Sequence, residues 1–190
     1  FAGPLELEVK YGQLEAGELT GQQVEVELKY SKGSIQSVEK GSLEFKYSGN
    51  TRIGKVGDVT LTDKYGGVSI EEADHIIAEI AYSGLNIGKL NGSLELESKY
   101  AGGKIRGIQH GFENIDIENA YGSVELEFEP EANFGFDVET KFGGFKNHLG
   151  DLNIQHQDEG NTSAEYRGHR GSPGGGKVAV TSAFGGVKFK

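Results

Sequence analysis

The stretch Leu94-Glu95-Leu96-Glu97-Ser98-Lys99-Tyr100-Ala101-Gly102-Gly103-Lys104-Ile105 decides the architecture. Apolar and charged residues alternate up to an aromatic ring, a tiny residue follows, and a second apolar run begins. Alternation with a period of two is the signature of a β-strand with one buried and one wet face, and a helical period does not fit it. The phrase recurs along nearly the whole chain. Aligned on the aromatic, it places Tyr11, Tyr30, Tyr47, Tyr65, Tyr82, Tyr100, Tyr121, Phe142 and Phe184 in one column, with gaps of 19, 17, 18, 17, 18, 21, 21 and 42 residues. The last gap is twice 21. A steady period near 20 marks a solenoid, and the pattern is not that of leucine-rich repeats.

The columns around the aromatic define the rung. Four residues before it stand Leu7, Val26, Leu43, Leu61, Ala78, Leu96, Ile117, Val138 and Val180, all apolar. Six before it, only Gly41 breaks the rule. Glu fills most positions three before, and Lys stands one before at 10, 29, 46, 64, 99 and 141. Immediately after the aromatic the residue is always Gly, Ser or Ala, which predicts a corner with no room for a side chain, where Gly also permits positive φ. Second strands such as Val68-Ser69-Ile70 follow, with further corners at Lys40-Gly41, Val56-Gly57-Asp58 and Asn91-Gly92-Ser93. The expected fold is an all-β, parallel β-solenoid (β-helix) of about nine rungs of roughly 4.8 Å each, a rod on the order of 40 Å long. Crossover preferences favour right-handed winding. The chain reads as a single domain, 1–190.

Composition agrees with thin stacked layers. Hydrophobic residues are 35% of the chain, there are 31 Gly and only 3 Pro, and no Gly-X-Y period indicates collagen. A net charge of −10 argues against nucleic acid and anionic membrane surfaces as partners. The absence of Cys removes disulfides, zinc thiolates and thiol nucleophiles. No apolar run reaches transmembrane length, so no membrane insertion of this segment is expected. With no Met anywhere and the repeat starting at Leu5, the chain reads as a mature or trimmed product, with any export signal upstream.

Between 147 and 176 the pattern lapses, which predicts an irregular rung or loop insertion before a final repeat at 178–189. His148, Asp151, His156, Asp158, Tyr166 and His169 in this segment are the candidate ligand contacts, because loops inserted into solenoids often carry specificity. Their spacing matches no metal signature, so neither a metal nor another cofactor is expected. The Glu and Lys columns are neighbours on the wet face and read as mutually neutralising, with little binding role. By parity the aromatic column shares the side of the core and reads as a buried or half-buried ladder rather than a sugar-stacking platform. The aspartates form no motif for paired-acid chemistry, so no catalytic residue is assigned.

The blocks Lys64-Tyr65-Gly66-Gly67-Val68-Ser69-Ile70, Ala120-Tyr121-Gly122-Ser123-Val124, Thr140-Lys141-Phe142-Gly143-Gly144-Phe145 and Thr181-Ser182-Ala183-Phe184-Gly185-Gly186-Val187-Lys188-Phe189 resemble the adhesin family of bacterial cell-surface β-solenoids, whose biochemical activity is undefined. The resemblance implies export to the cell surface or periplasm of a Gram-negative bacterium and offers no catalytic residues. The resulting expectation is a non-enzymatic adhesion or interaction module that binds carbohydrate or another envelope protein, with end-to-end or side-by-side self-association open to it. The alternatives are a polysaccharide-processing lyase or hydrolase on the same scaffold and a structural envelope spacer.

Overall fold

The computed structural model describes residues 4–21, 23–172 and 174–190. Its strands are β1 (Leu5–Lys10), β2 (Gln13–Leu19), β3 (Val24–Lys29), β4 (Lys32–Lys46), β5 (Thr51–Lys64), β6 (Val68–Ala81), β7 (Gly84–Lys99), β8 (Gly102–Ile108), β9 (Asn114–Ala120), β10 (Val124–Phe128), β11 (Phe134–Lys141), β12 (Gly144–Asn147), β13 (Leu152–Glu159), β14 (Ser163–Arg170), β15 (Gly176–Ala183) and β16 (Gly186–Phe189). No helix occurs among the described residues. The protein is a parallel β-solenoid of about seven turns rather than nine.

Stacking is in register wherever the alternation is strict. Leu5, Val24, Gly41, Val59, Ile76, Leu94 and Ile115 lie one above another on the strands before the aromatic. Ala16, Ile35, Ile53, Ile70, Ile87, Ile105 and Leu126 do the same on the strands after it. A slip of one residue would turn every apolar side chain outward, which fixes the register. Both columns face a single core in which Ile53, Leu61, Ile87, Leu94 and Ile115 are fully buried. Each such side chain contributes about 1.5–3 kcal/mol. In β4 to β7 the two strands of a turn run on as one bent strand of 14 to 16 residues. At the bends a neighbouring backbone comes close: a Cβ on Gly57 would lie 2.3 Å from the Glu39 carbonyl oxygen.

The half-buried aromatic ladder forms as expected, but not on the core side where parity placed it. All nine aromatics have φ between 49° and 60°, whereas the glycines that follow them do not have positive φ. The left-handed residue interrupts the alternation and swings the ring out of the core. The rings stack outside it, 4.7–5.1 Å apart and within 11° of parallel. Each is about half exposed except Tyr11, which is 78% exposed at the end of the row. The small residue after the ring is small for space alone: a Cβ on Gly122 would sit 1.5 Å from the Ala101 carbonyl oxygen.

The segment 147–176 is neither an irregular rung nor a loop. β13 and β14 form an antiparallel hairpin, and β14 lies antiparallel on β11, so the hairpin closes one end of the stack. The final repeat is not terminal in space either. The sheet order is β7-β9-β15-β11-β14-β13, and β16 lies between β10 and β12. The repeat from Gly176 to Phe189 therefore fills a slot between the rung of β9 and β10 and the rung of β11 and β12. Phe189 reaches the middle of an aromatic cluster, with ring centroids 5.3 Å from Phe128, 6.0 Å from Phe136 and 4.9 Å from Phe145.

Candidate functional site: a furrow beside the aromatic ladder

The six residues singled out in the sequence do not converge. Along β13 and β14 the register places His156 opposite Arg167, Asp158 opposite Glu165 and His169 opposite Asn153, on one face of the hairpin. Tyr166 is on the other face, its hydroxyl donating to Glu159 and its ring centroid 5.1 Å from that of Phe145. The Glu159 carboxylate raises the phenol pKa to about 12. Asp151 accepts both 2.9 Å bonds from Nε of the buried Arg170, whose Nη1 donates to the Glu129 carbonyl, so this pair pins the hairpin to the turn below. His148 lies in the turn after β12, and its backbone N–H donates to the Phe189 carbonyl. Tyr166, Asp151 and the backbone of His148 hold the closure in place, whereas the side chains of His156, Asp158 and His169 line its outer face.

Ligand atoms of Asp137, Glu139 and Glu165 come within 4.8 Å of one another on this hairpin side. Arg167 already occupies that cluster, with Nε 2.9 Å from Asp137 Oδ2 and a guanidinium contact to Glu165. The guanidinium supplies the positive charge that the carboxylates require. Across the strands before the aromatic, the Glu and Lys columns pair as expected, through Lys10 with Glu8, Lys29 with Glu27, Lys46 with Glu44 and Lys99 with Glu97. Such exposed pairs contribute about 0–1 kcal/mol each.

A concave site lies elsewhere, on the strands after the aromatic. Its floor is the row Gly84, Gly102, Ser123, Gly186 and Gly144, its volume is about 590 Å³, and its far wall carries Asn86, Lys104, Glu125, Lys188 and Lys146. Register pairs Asn86 with Lys104, Lys104 with Glu125, and Glu125 with Lys188, and Lys188 with Lys146, so this wall is one straight column across five rungs. On the near side Tyr82, Tyr100 and Tyr121 border the same floor at Gly102 and Ser123. Because each ring is covered on both faces by its neighbours, the ladder offers edges and hydroxyls to the furrow.

The floor is open by composition rather than by backbone need. A Cβ on Gly84 or Gly144 would meet nothing within 4 Å. Neither position has positive φ, so Gly there leaves space where the fold would accept a side chain. At the wall, Lys190 donates to Glu125 at 2.9 Å and Lys104 and Lys188 lie 3.3 and 3.8 Å from the same carboxylate. The Lys190 hydrogen bond, together with the nearby Lys104, holds the Glu125 carboxyl below its ordinary pKa. No acid lies within ion-pair distance of Lys146 among the described residues.

The sequence carried a faint sign of this site in Gly or Ser two residues after the aromatic at 84, 102, 123, 144 and 186. The adjacency of Lys188 to Glu125 had none, because it depends on the last repeat entering the stack out of order. No protein-family model, curated protein or solved structure matches the chain.

Proposed function

We propose that this chain is a non-catalytic binding module that holds an extended glycan along the furrow beside its aromatic ladder. The single observation behind this reading is the straight five-rung furrow, open along its length and floored by residues that leave room for a ligand. A linear polymer matches a site whose small-residue floor recurs at each rung, about 4.8 Å apart. Tyr hydroxyls, Asn86 and Ser123 supply donors and acceptors for sugar hydroxyls. Glycoside hydrolysis ordinarily uses two carboxyl groups, one of them a protonated acid. The furrow wall has only Glu125 on its lining, and lysines favour its ionised form, so adhesion is the better reading than turnover. Assignment to the cell surface or periplasm of a Gram-negative bacterium is carried over from the sequence resemblance. A role as an end-to-end spacer is disfavoured at the hairpin end, where polar β13 is the outermost strand.

The test is binding to a panel of immobilised polysaccharides by the native chain and by Gly84→Phe and Gly144→Phe, whose Cβ atoms meet nothing within 4 Å and whose rings would occupy the furrow. Retention of at least one polymer by the native chain and its loss in both variants is expected. Equal retention by the variants would remove the furrow as the site, and release of shortened polymer would replace adhesion with catalysis.

A further inference from the structure

The furrow is electrically unlike the rest of the molecule. The chain carries a net charge of −10, yet the outward positions of β8, β10, β12 and β16 and the residue after β16 bring together Lys104, Arg106, Lys146, Lys188 and Lys190 against Glu125 and Glu127. Most lysines elsewhere lie beside an acid of their own: Lys40 lies 3.2 Å from Asp58, Lys64 lies 3.4 Å from Glu79, and Lys55 lies between Glu72 and Asp74 at 3.1 and 3.5 Å. Here three lysines share one carboxylate and Lys146 extends the row beyond them. A concave wall with surplus charge of one sign concentrates the field and raises the local concentration of counter-ions.

From this charge inversion, and resting on the glycan-binding reading above, we infer that the furrow's ligand is a linear polysaccharide bearing anionic groups. Lysine ammoniums act as point charges and do not select one planar oxyanion over another, so carboxylate and sulfate are the shared chemistry. A nucleic acid fits less well on two counts. Duplex DNA carries about one charge per 1.7 Å of axis, whereas the cations here recur at rung spacing and are interrupted at Glu125. Single strands bind by base stacking on open aromatic faces, and the faces of Tyr82, Tyr100, Tyr121 and Phe184 along the furrow are covered by their neighbours. Screening confines the positive patch to contact range, about 8 Å at physiological salt, beyond which the acidic remainder repels a dense polyanion. Ordering of the sugars is left to Asn86, Ser123 and the tyrosine hydroxyls, and the lysines distinguish charged chains from neutral ones.

The experiment measures binding of the full chain to polygalacturonate, dextran sulfate, dextran and a short DNA duplex at low and high salt, with Lys146→Glu, Lys188→Gln and the control Lys40→Glu. Far-UV circular dichroism verifies each fold, and Lys146→Glu removes no ion pair of the native protein. Polygalacturonate or dextran sulfate is expected to bind, weaken as salt rises, and lose about tenfold in affinity with Lys146→Glu, the effect of reversing one charge near a ligand anion. Lys188→Gln is expected to lose less and Lys40→Glu nothing. Dextran binding as tightly as polygalacturonate, with both abolished by Gly144→Phe, would overturn the charge inference and keep the furrow as a glycan site. Binding of no anionic polysaccharide, or of DNA as tightly as either, would overturn the inference as well.

Discussion

The turns from Leu5 to Phe128 and the block from Phe134 to Lys190 are built from the same phrase and assembled in different ways. In the first region each rung pairs with the next in the chain, so partners are 17 to 21 residues apart, as Val9 and Leu28 are. In the second, Ala183 pairs with Ala120 and Lys188 with Glu125, 63 residues apart, and the order of the rungs is inverted before the hairpin closes the end. A solenoid extended by local repetition has stability that is close to a sum over rungs and their interfaces. A block interlocked by an inserted rung is stable only as a unit. Repetition makes length, and a break in chain order makes an end.

The sharpest way to break this comparison is to empty one core position in each region. Phe189→Ala removes a ring in contact with four others and is expected to destabilise by about 3–5 kcal/mol, with hydrogen exchange accelerating together across β11 to β14. Ile53→Ala, equally buried, is expected to lose about 2–5 kcal/mol, with exchange rising only in the neighbouring rungs. If both variants give the same local pattern, the C-terminal block is not a cooperative unit.

Asp63 sharpens it on the regular side. Fully buried in a column that it shares with Phe45, Ile80, Ser98 and Asn119, it takes one hydrogen bond from Ser83 and leaves Oδ1 unpaired. Burial raises its pKa, and the Ser83 bond only partly opposes this. Below its ordinary value of 3.8 the carboxyl is protonated folded or unfolded, with no charge penalty. As pH rises past that value the unfolded chain ionises first, so stability falls until the folded-state pKa is passed and stays lower at neutral pH. Asp63→Asn can repeat what Asn119 does in the same column, donating to the carbonyl three residues on. It is expected to stabilise by about 1–3 kcal/mol at pH 7, with a gain that shrinks as the pH is lowered in chemical denaturation.

The ladder gives the smallest effect. Tyr82→Phe is expected to change stability by less than about 0.5 kcal/mol, since Phe184 and Phe142 already serve in equivalent places. Tyr82→Ile places a β-branched residue at φ 53° and is expected to lose about 1–2 kcal/mol, read from the same denaturation curves.

Legibility in the sequence followed strictness of alternation. Leu94 to Glu97 announced both its strand and its buried face, and the stacking columns came out as read. Parity failed at Tyr100 and its equivalents because one residue of positive φ resets which side the chain faces, and composition does not record φ. Asn153-Ile154-Gln155-His156 looked like a loop because a strand at the end of a stack has little core to face and needs no apolar alternation. The place of Val178 to Phe189 was illegible for the opposite reason. Its apolar positions match every other rung, so any slot in the stack would accept it.

That interchangeability has a consequence for synthesis. Turns from Leu5 to Phe128 can settle one after another as they leave the ribosome or a secretion channel, each on the one before. The rung of β11 and β12 cannot, since its support on one side is made later, after the hairpin that covers its other side. The upper part of the molecule must wait for Phe189 to emerge, and in that interval the future edges of β9 and β11 are open to any strand that arrives first.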